Sequence, residues 1–400
     1  MEAFATTLPI FDRLAKVYGY DLRFRSGFGT QFTSVVAEQA DVDFWKAMGF
    51  DDILGMGRAH VFFPRDLLLK GAPFLFPPDR MIVGLPEDVT GDGELIDSCK
   101  GLKEVGYELA MDNFGADQMA SPFLEFGDIV WVDIAEATDE QQEAVCEELP
   151  RRGIRPLAKN VSTPESFDKA MEAGYWYFQG DFFRQPVLRP GRELPTAKAH
   201  YLQLLQEVNK PELPYDELEG LIKQDVAMTY RLLRFINSVW YGLKQTVNSI
   251  RHALVLLGPV EVRLWASMLV LRELGEEKPR ELFRRCLIRA KMAEGLAPLV
   301  GMDSQASELF LMGMFSLVDA LTDLPLSKAL EGLPLSPSIK MALLDRSGEL
   351  GTIYEAIEHY ELGRWESFSR AAATLELAED TVPAVLSAAR KWADDAMNAM

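Results

Sequence analysis

Three carboxylates stand where short apolar runs end: Asp21 in "YGYDLRFR", Asp112 in "AMDNFG" (110–115) and Asp133 in "DIVWVD". Hard oxygen ligands gathered in this way would suit Mg²⁺ or Ca²⁺ and the hydrolytic chemistry that such ions support. The same spacing also suits Asp as a cap for the loop that follows each run. Other chemistry finds less material. Cys99, Cys146 and Cys286 lie far apart, with neither a disulfide framework nor a zinc spacing. The four histidines, His60, His200, His252 and His359, include none followed by Asp, so no His-Asp metal dyad can be assembled. There is no G-x-S-x-G elbow and no phosphate loop, and "SGFGTQF" (26–32) reads only as a glycine-rich loop.

The elements that must position those carboxylates follow from periodicity. Residues 1–185 hold eight β-rich runs: "TTLPIF", "YGYDLRFR", "HVFFP", "MIVGLP", "YELAMD", "DIVWVD", "IRPLAK" and "YWYFQG". Helical stretches such as "EATDEQQEAVCEEL" (136–149) lie between most of them, the pattern of β/α units around a parallel sheet. Eight strands predict a (β/α)8 barrel, trimmed because such barrels usually take about 250 residues. Only "DRLAKV" separates the first two runs, too short for a parallel crossover, so they should pair antiparallel.

"PVLRPGRELPTAKA" (186–199) breaks both periods with three prolines and a glycine. Beyond it, "YDELEGLIKQDVAMTYRLLRFINSVWYG" (215–242) and "SIRHALVLLGPVEVRLWASMLVLREL" carry apolar residues at helical spacing, with Gly258-Pro259 separating two helices. The fold class is α/β plus all-α: a barrel over 1–187, a linker over 188–199 and a helical domain over 200–400.

The net charge is −20, and 400 residues with 48% hydrophobic content suffice for two cores. Residues 1–190 carry 18 Lys and Arg against 32 Asp and Glu; the remainder carry 23 against 29. Such a field opposes phosphate backbones, so general nucleic-acid binding is not expected. The best basic patch, Arg284, Arg285 and Arg289 in "RELFRRCLIRAK", is read as a solvated helix face. No uninterrupted apolar run approaches a membrane span, no leader is evident, and cytoplasmic localisation is expected.

In their order and spacing, "YGYDLRFR", "AMDNFG", "DIVWVD", "LAKNVST" and "YFQGDFFRQP" resemble the motifs of EAL-domain cyclic di-GMP phosphodiesterases. "QGDFFRQP", beginning at Gln179, resembles that family's Gln-Gly-aromatic strand end. The resemblance implies the barrel and, residue by residue, few of the catalytic groups. The signature Glu falls at Asp21, an Asn ligand at Phe62 and a Glu ligand at Gly84. The Asp-Asp pair becomes Asp112-Asn113, the family's Lys falls at Trp131 two residues before Asp133, and two further glutamates fall at Lys159 and Ser162. A two-metal hydrolase needs several carboxylates, and an ammonium at a cation site works against it. A degenerate, non-catalytic barrel is therefore expected, with neither metal nor cofactor.

The helical half resembles the HDOD domain, a relative of HD-type phosphohydrolases, through Asp225, Asn237-Ser238 in "LLRFINS" and the "SI..AL..LG" pattern ending at Gly258. Asn237 and Ser238 are read as groups bonding backbone and His252 as a structural residue. The two resemblances together imply a bacterial signalling protein, expected here to act without catalysis through unknown protein partners, with a homodimer as one arrangement. The alternative is a cyclic di-GMP receptor without hydrolysis, with Trp131 stacking on guanine and Lys159 meeting a phosphate.

Overall fold

The computed structural model describes residues 4–25, 57–87, 91–113, 121–188, 199–210, 212–243 and 245–400. The "SGFGTQF" loop, Phe114 and Gly115 of "AMDNFG" and most of the 188–199 linker lie outside these residues. The chain divides into two compact units, Met1–Gln185 with Glu358–Ser369, and Pro186–Ile357 with Arg370–Met400. Residues 358–369, expected with the helical half, thus group with the barrel, where the buried Thr6 hydroxyl donates to the Glu361 carbonyl at 2.9 Å.

All eight anticipated strands form, as β1 (Phe4–Asp12), β2 (Val17–Arg25), β3 (Ala59–Phe62), β4 (Met81–Leu85), β5 (Glu108–Met111), β6 (Ile129–Asp133), β7 (Arg155–Lys159) and β8 (Tyr177–Gln179). They close into a barrel in sequence order. β1 runs antiparallel to both β2 and β8, and every other pairing is parallel. The β1–β2 turn is short because Asp12 closes it, its Oδ1 accepting from the Leu14 and Lys16 amides.

Between the parallel strands lie α1 (Arg65–Leu69), α2 (Gly93–Val105), α3 (Asp139–Arg151) and α4 (Pro164–Ala173). Asp92 caps α2 by accepting from the Leu95 amide, and Thr138 and Thr163 open α3 and α4 with reciprocal capping boxes. Alternate strand residues Ile10, Phe62, Ile82, Ala110, Ile129, Trp131, Leu157 and Tyr177 pack together as the barrel core. The amino-terminal end is plugged by charge: Glu108 accepts from Tyr18 and pairs with Arg58 and Arg155, each at 2.7 Å. Burial alone would raise the Glu108 pKa, but the hydrogen bonds from Arg155 and Tyr18 and both guanidinium charges outweigh it, leaving about 2.

The helical unit opens with Ala199–Val208, then Tyr215–Lys223 and Val226–Ile236, followed by Ile250–Leu274. The last is two helices joined at a break, where Gly258 takes φ 71 and ψ 174, a left-handed φ that Gly alone adopts freely, and Pro259 restarts the helix. By length and composition this helix could span a membrane, yet 56% of its most apolar stretch is buried.

The basic patch corrects the sequence reading. Arg289 is 0% exposed, donating to Ser316 and Tyr354, and Arg284 forms a two-pronged pair with Asp394. Spacing alone places three arginines together, but the packing of Arg280–Leu296 against its neighbours turns that side inward. The arginines are internal braces, not a solvated face.

Candidate functional site

Parallel strands deliver their last residues to one end of the barrel, the end at which (β/α)8 proteins carry their sites. Lys159 ends β7 in register with Asp133 of β6, and Asp112 follows β5. The Lys159 ammonium meets Asp112 Oδ1 at 2.9 Å, both side chains being largely buried. Asp133 is held from two sides, Oδ1 accepting from the Ala135 amide at 2.9 Å and Oδ2 from Asn160 Nδ2 at 2.6 Å. Asn113, in a left-handed conformation, donates to Glu87 at 2.8 Å. Gln179 is buried, its Nε2 lying 3.5 Å from Asp21 Oδ2, and Ser162 is exposed just beyond β7.

Sequence reasoning treats Phe62 and Gly84 as two independent losses, but the structure makes them one arrangement. A Cβ at position 84 would stand 2.3 Å from the Phe62 ring, so the ring occupies the space that any side chain there would need. Trp131, 2% exposed, packs edge-to-face on Phe62 and His60 at 5.3 and 5.4 Å. Buried in the core, its indole has no face to offer guanine, so the stacking role imagined for it falls. His60 is 1% exposed, neither ring nitrogen finds a hydrogen-bond partner, and burial, with Arg58 and Arg155 nearby, lowers its pKa to about 3.

The wider EAL family implies a divalent metal, and the residues here do not fit a two-cation site. Lys159 already engages Asp112, Phe62 and Gly84 supply no side-chain oxygen, and among the described residues no three His, Cys, Asp or Glu side chains converge as a metal would require. Sequence reasoning missed Asn160 and Glu87. Asn160 carried one visible signal, an Asn directly after a strand, where left-handed backbone favours it, and its φ is 63°.

In the helical unit the motif residues are structural. Asp225 caps Val226–Ile236, its carboxylate accepting from the Met228 amide at 3.0 Å. Asn237 donates to the Leu233 and Val247 carbonyls and accepts from the Val247 amide, which ties the following loop back to the helix end. Ser238 Oγ is buried without a partner, so its expected bond to backbone is not made. His252 sits exposed in the first turn after its cap, Ser249.

A closed eight-stranded barrel followed by a helical unit defines a two-unit architecture, and comparison with known proteins says which. The HDOD domain profile matches residues 194–324. A Vibrio cholerae protein named cyclic di-GMP phosphodiesterase CdgJ is 31% identical over 97% of this chain and 91% of its own length. The Bacillus subtilis uncharacterized protein YuxH is 29% identical over 95% of each. The chain belongs to the EAL-HDOD family. A Listeria monocytogenes EAL-domain structure also aligns, at 16% identity over 46% of this chain and 87% of that one, with a TM-score of 0.36, too distant to add to this assignment.

The likeness to CdgJ overturns the expectation of a non-catalytic protein and its receptor alternative. A relative that shares both units end to end is named an enzyme. The substitutions at Asp21, Phe62, Gly84, Asn113, Lys159 and Ser162 remove a particular two-cation ligand set. They do not establish that the barrel is inert, because losing the ligands of one cation site is not the same as losing activity.

Proposed function

We propose that the chain hydrolyses cyclic di-GMP in a bacterial signalling pathway, the activity stated in the name of its Vibrio cholerae relative. The observation that carries this reading is the reach of the likeness, 31% identity across 97% of the chain. The carboxyl end of the barrel supports it by concentrating polar groups where a substrate would enter. Lys159 supplies a fixed cation for a phosphodiester oxygen, and Asp112 and Asp133 are the carboxylates able to take a proton from an attacking water. No step is routed through a metal, since the residues present do not form the family's two-cation site.

The test is incubation of the purified chain with cyclic di-GMP in Mg²⁺ and in Mn²⁺, with the linear dinucleotide followed by chromatography. Turnover that falls about a hundredfold or more in Asp112→Asn is expected. Absence of product above the protein-free blank in both buffers refutes the reading. We place the protein in the cytoplasm, in keeping with its three free cysteines. Protein partners, among them a second copy of the chain, remain part of the proposal, and light scattering across a concentration series tests self-association.

A further inference from the structure

The helical unit holds a cavity of ≈ 790 Å³, within the usual range for small-molecule sites. Two of its walls are Trp240 and Trp392, whose rings meet edge-to-face at 84°, and Phe310 stands against the same indole of Trp392 at 5.8 Å. Ser238 and Ser267 also line the cavity, their buried hydroxyls have no hydrogen-bond partners, and Ser267 is 1% exposed. A buried hydroxyl left unbonded is a cost that an occupant able to bond it would remove.

Charge around the cavity narrows the occupant. Lys291 is spent on Glu294 at 2.5 Å and lies over the Trp392 ring. Arg263 donates to the Val208 and Lys210 carbonyls, and Glu261 accepts from Tyr241. Asp395 also lines the cavity and has no hydrogen-bond or ion-pair partner among the described residues. The cations are thus committed, while Asp395, exposed to solvent, keeps an unpaired carboxylate on the cavity lining.

We propose that this cavity binds a flat heteroaromatic molecule of zero or positive charge, nucleoside in size, packed against the corner that the two indoles form and bonded by Ser238 and Ser267. A phosphorylated analogue of the same ring is disfavoured by Asp395. The site belongs wholly to the helical unit and stands apart from the barrel reading. Its test is titration of the full chain with adenosine, guanosine, tryptamine and adenosine monophosphate, read by tryptophan fluorescence and ligand-detected NMR.

Saturable binding of a nucleoside or of tryptamine is expected, with the monophosphate at least about tenfold weaker than adenosine if adenosine binds. Ser267→Ala, which deletes only the unbonded hydroxyl, should weaken the bound ligand about tenfold at unchanged melting temperature. Asp395→Asn should narrow the gap between adenosine and its monophosphate, or weaken tryptamine. No saturable binding by any of the uncharged or cationic probes at millimolar concentration, equal affinity for the monophosphate, or indifference to Ser267→Ala overturns the proposal.

Discussion

His60 should make the barrel acid-sensitive, and the size of the effect follows from its surroundings. Its ring is sealed in the core between Tyr18 and Trp131, with Arg58, Arg155 and Glu108 as the charges facing it. The folded-state pKa is about 3, against an ordinary value of 6.5. As pH falls below 6.5 the unfolded chain takes up the proton first, so stability is lost between the two values and changes no further below the lower one. At pH 5 the loss amounts to roughly 1.5 pKa units at 1.36 kcal/mol each, or about 2 kcal/mol relative to pH 8.

His60→Leu removes the titration, and since neither ring nitrogen is hydrogen-bonded it breaks no bond. Hydrogen exchange of the β3 and β4 amides, followed by mass spectrometry, reads the opening of the barrel without reference to the helical unit. The ratio of wild-type to variant exchange cancels the intrinsic pH dependence. It should rise about thirtyfold from pH 8 to pH 5. A ratio constant within about threefold would refute a neutral, desolvated His60.

Other substitutions follow from the same packing. Gly84→Ala should destabilise the barrel by about 1–3 kcal/mol through the Phe62 clash, and Phe62→Val should relieve much of it, as urea unfolding of the single and double variants would show. Asn237→Ala strips the Val247 amide and carbonyl of their partner and should cost roughly 2–4 kcal/mol, read by thermal melting of the helical unit's tryptophan signal. Arg289→Met deprives Asp319, whose pKa burial already raises, of one of the two guanidiniums that, with backbone hydrogen bonds, oppose the rise, so Asp319 should titrate still higher in a carboxylate-resolved NMR titration.

Much of the architecture was legible because period-two runs and short connections leave few topologies open. The antiparallel opening, for instance, follows from the length of "DRLAKV". The site was legible as a set of positions and illegible as contacts. Nothing local in the sequence says that Phe62 fills the space over Gly84, because that proximity depends on the register of β3 and β4. Nor does helical spacing reveal which face is covered, which is why three arginines read as solvated when Arg289 is sealed inside. The cavity walls come from distant segments, Trp240 and Trp392 among them, which only tertiary packing unites.

The antiparallel seating of β1 on both neighbours bears on how the chain emerges from a ribosome. β1 and β2 can form a hairpin within about 1–10 μs of being exposed. The other edge of β1 must wait for Tyr177, Phe178 and Gln179 to be made. At about 5–20 residues per second, that interval lasts on the order of 10–30 s. Throughout it the nascent barrel presents an unpaired, largely apolar edge to every other chain nearby, so ring closure, the last pairing available, is the step at which a chaperone would matter most.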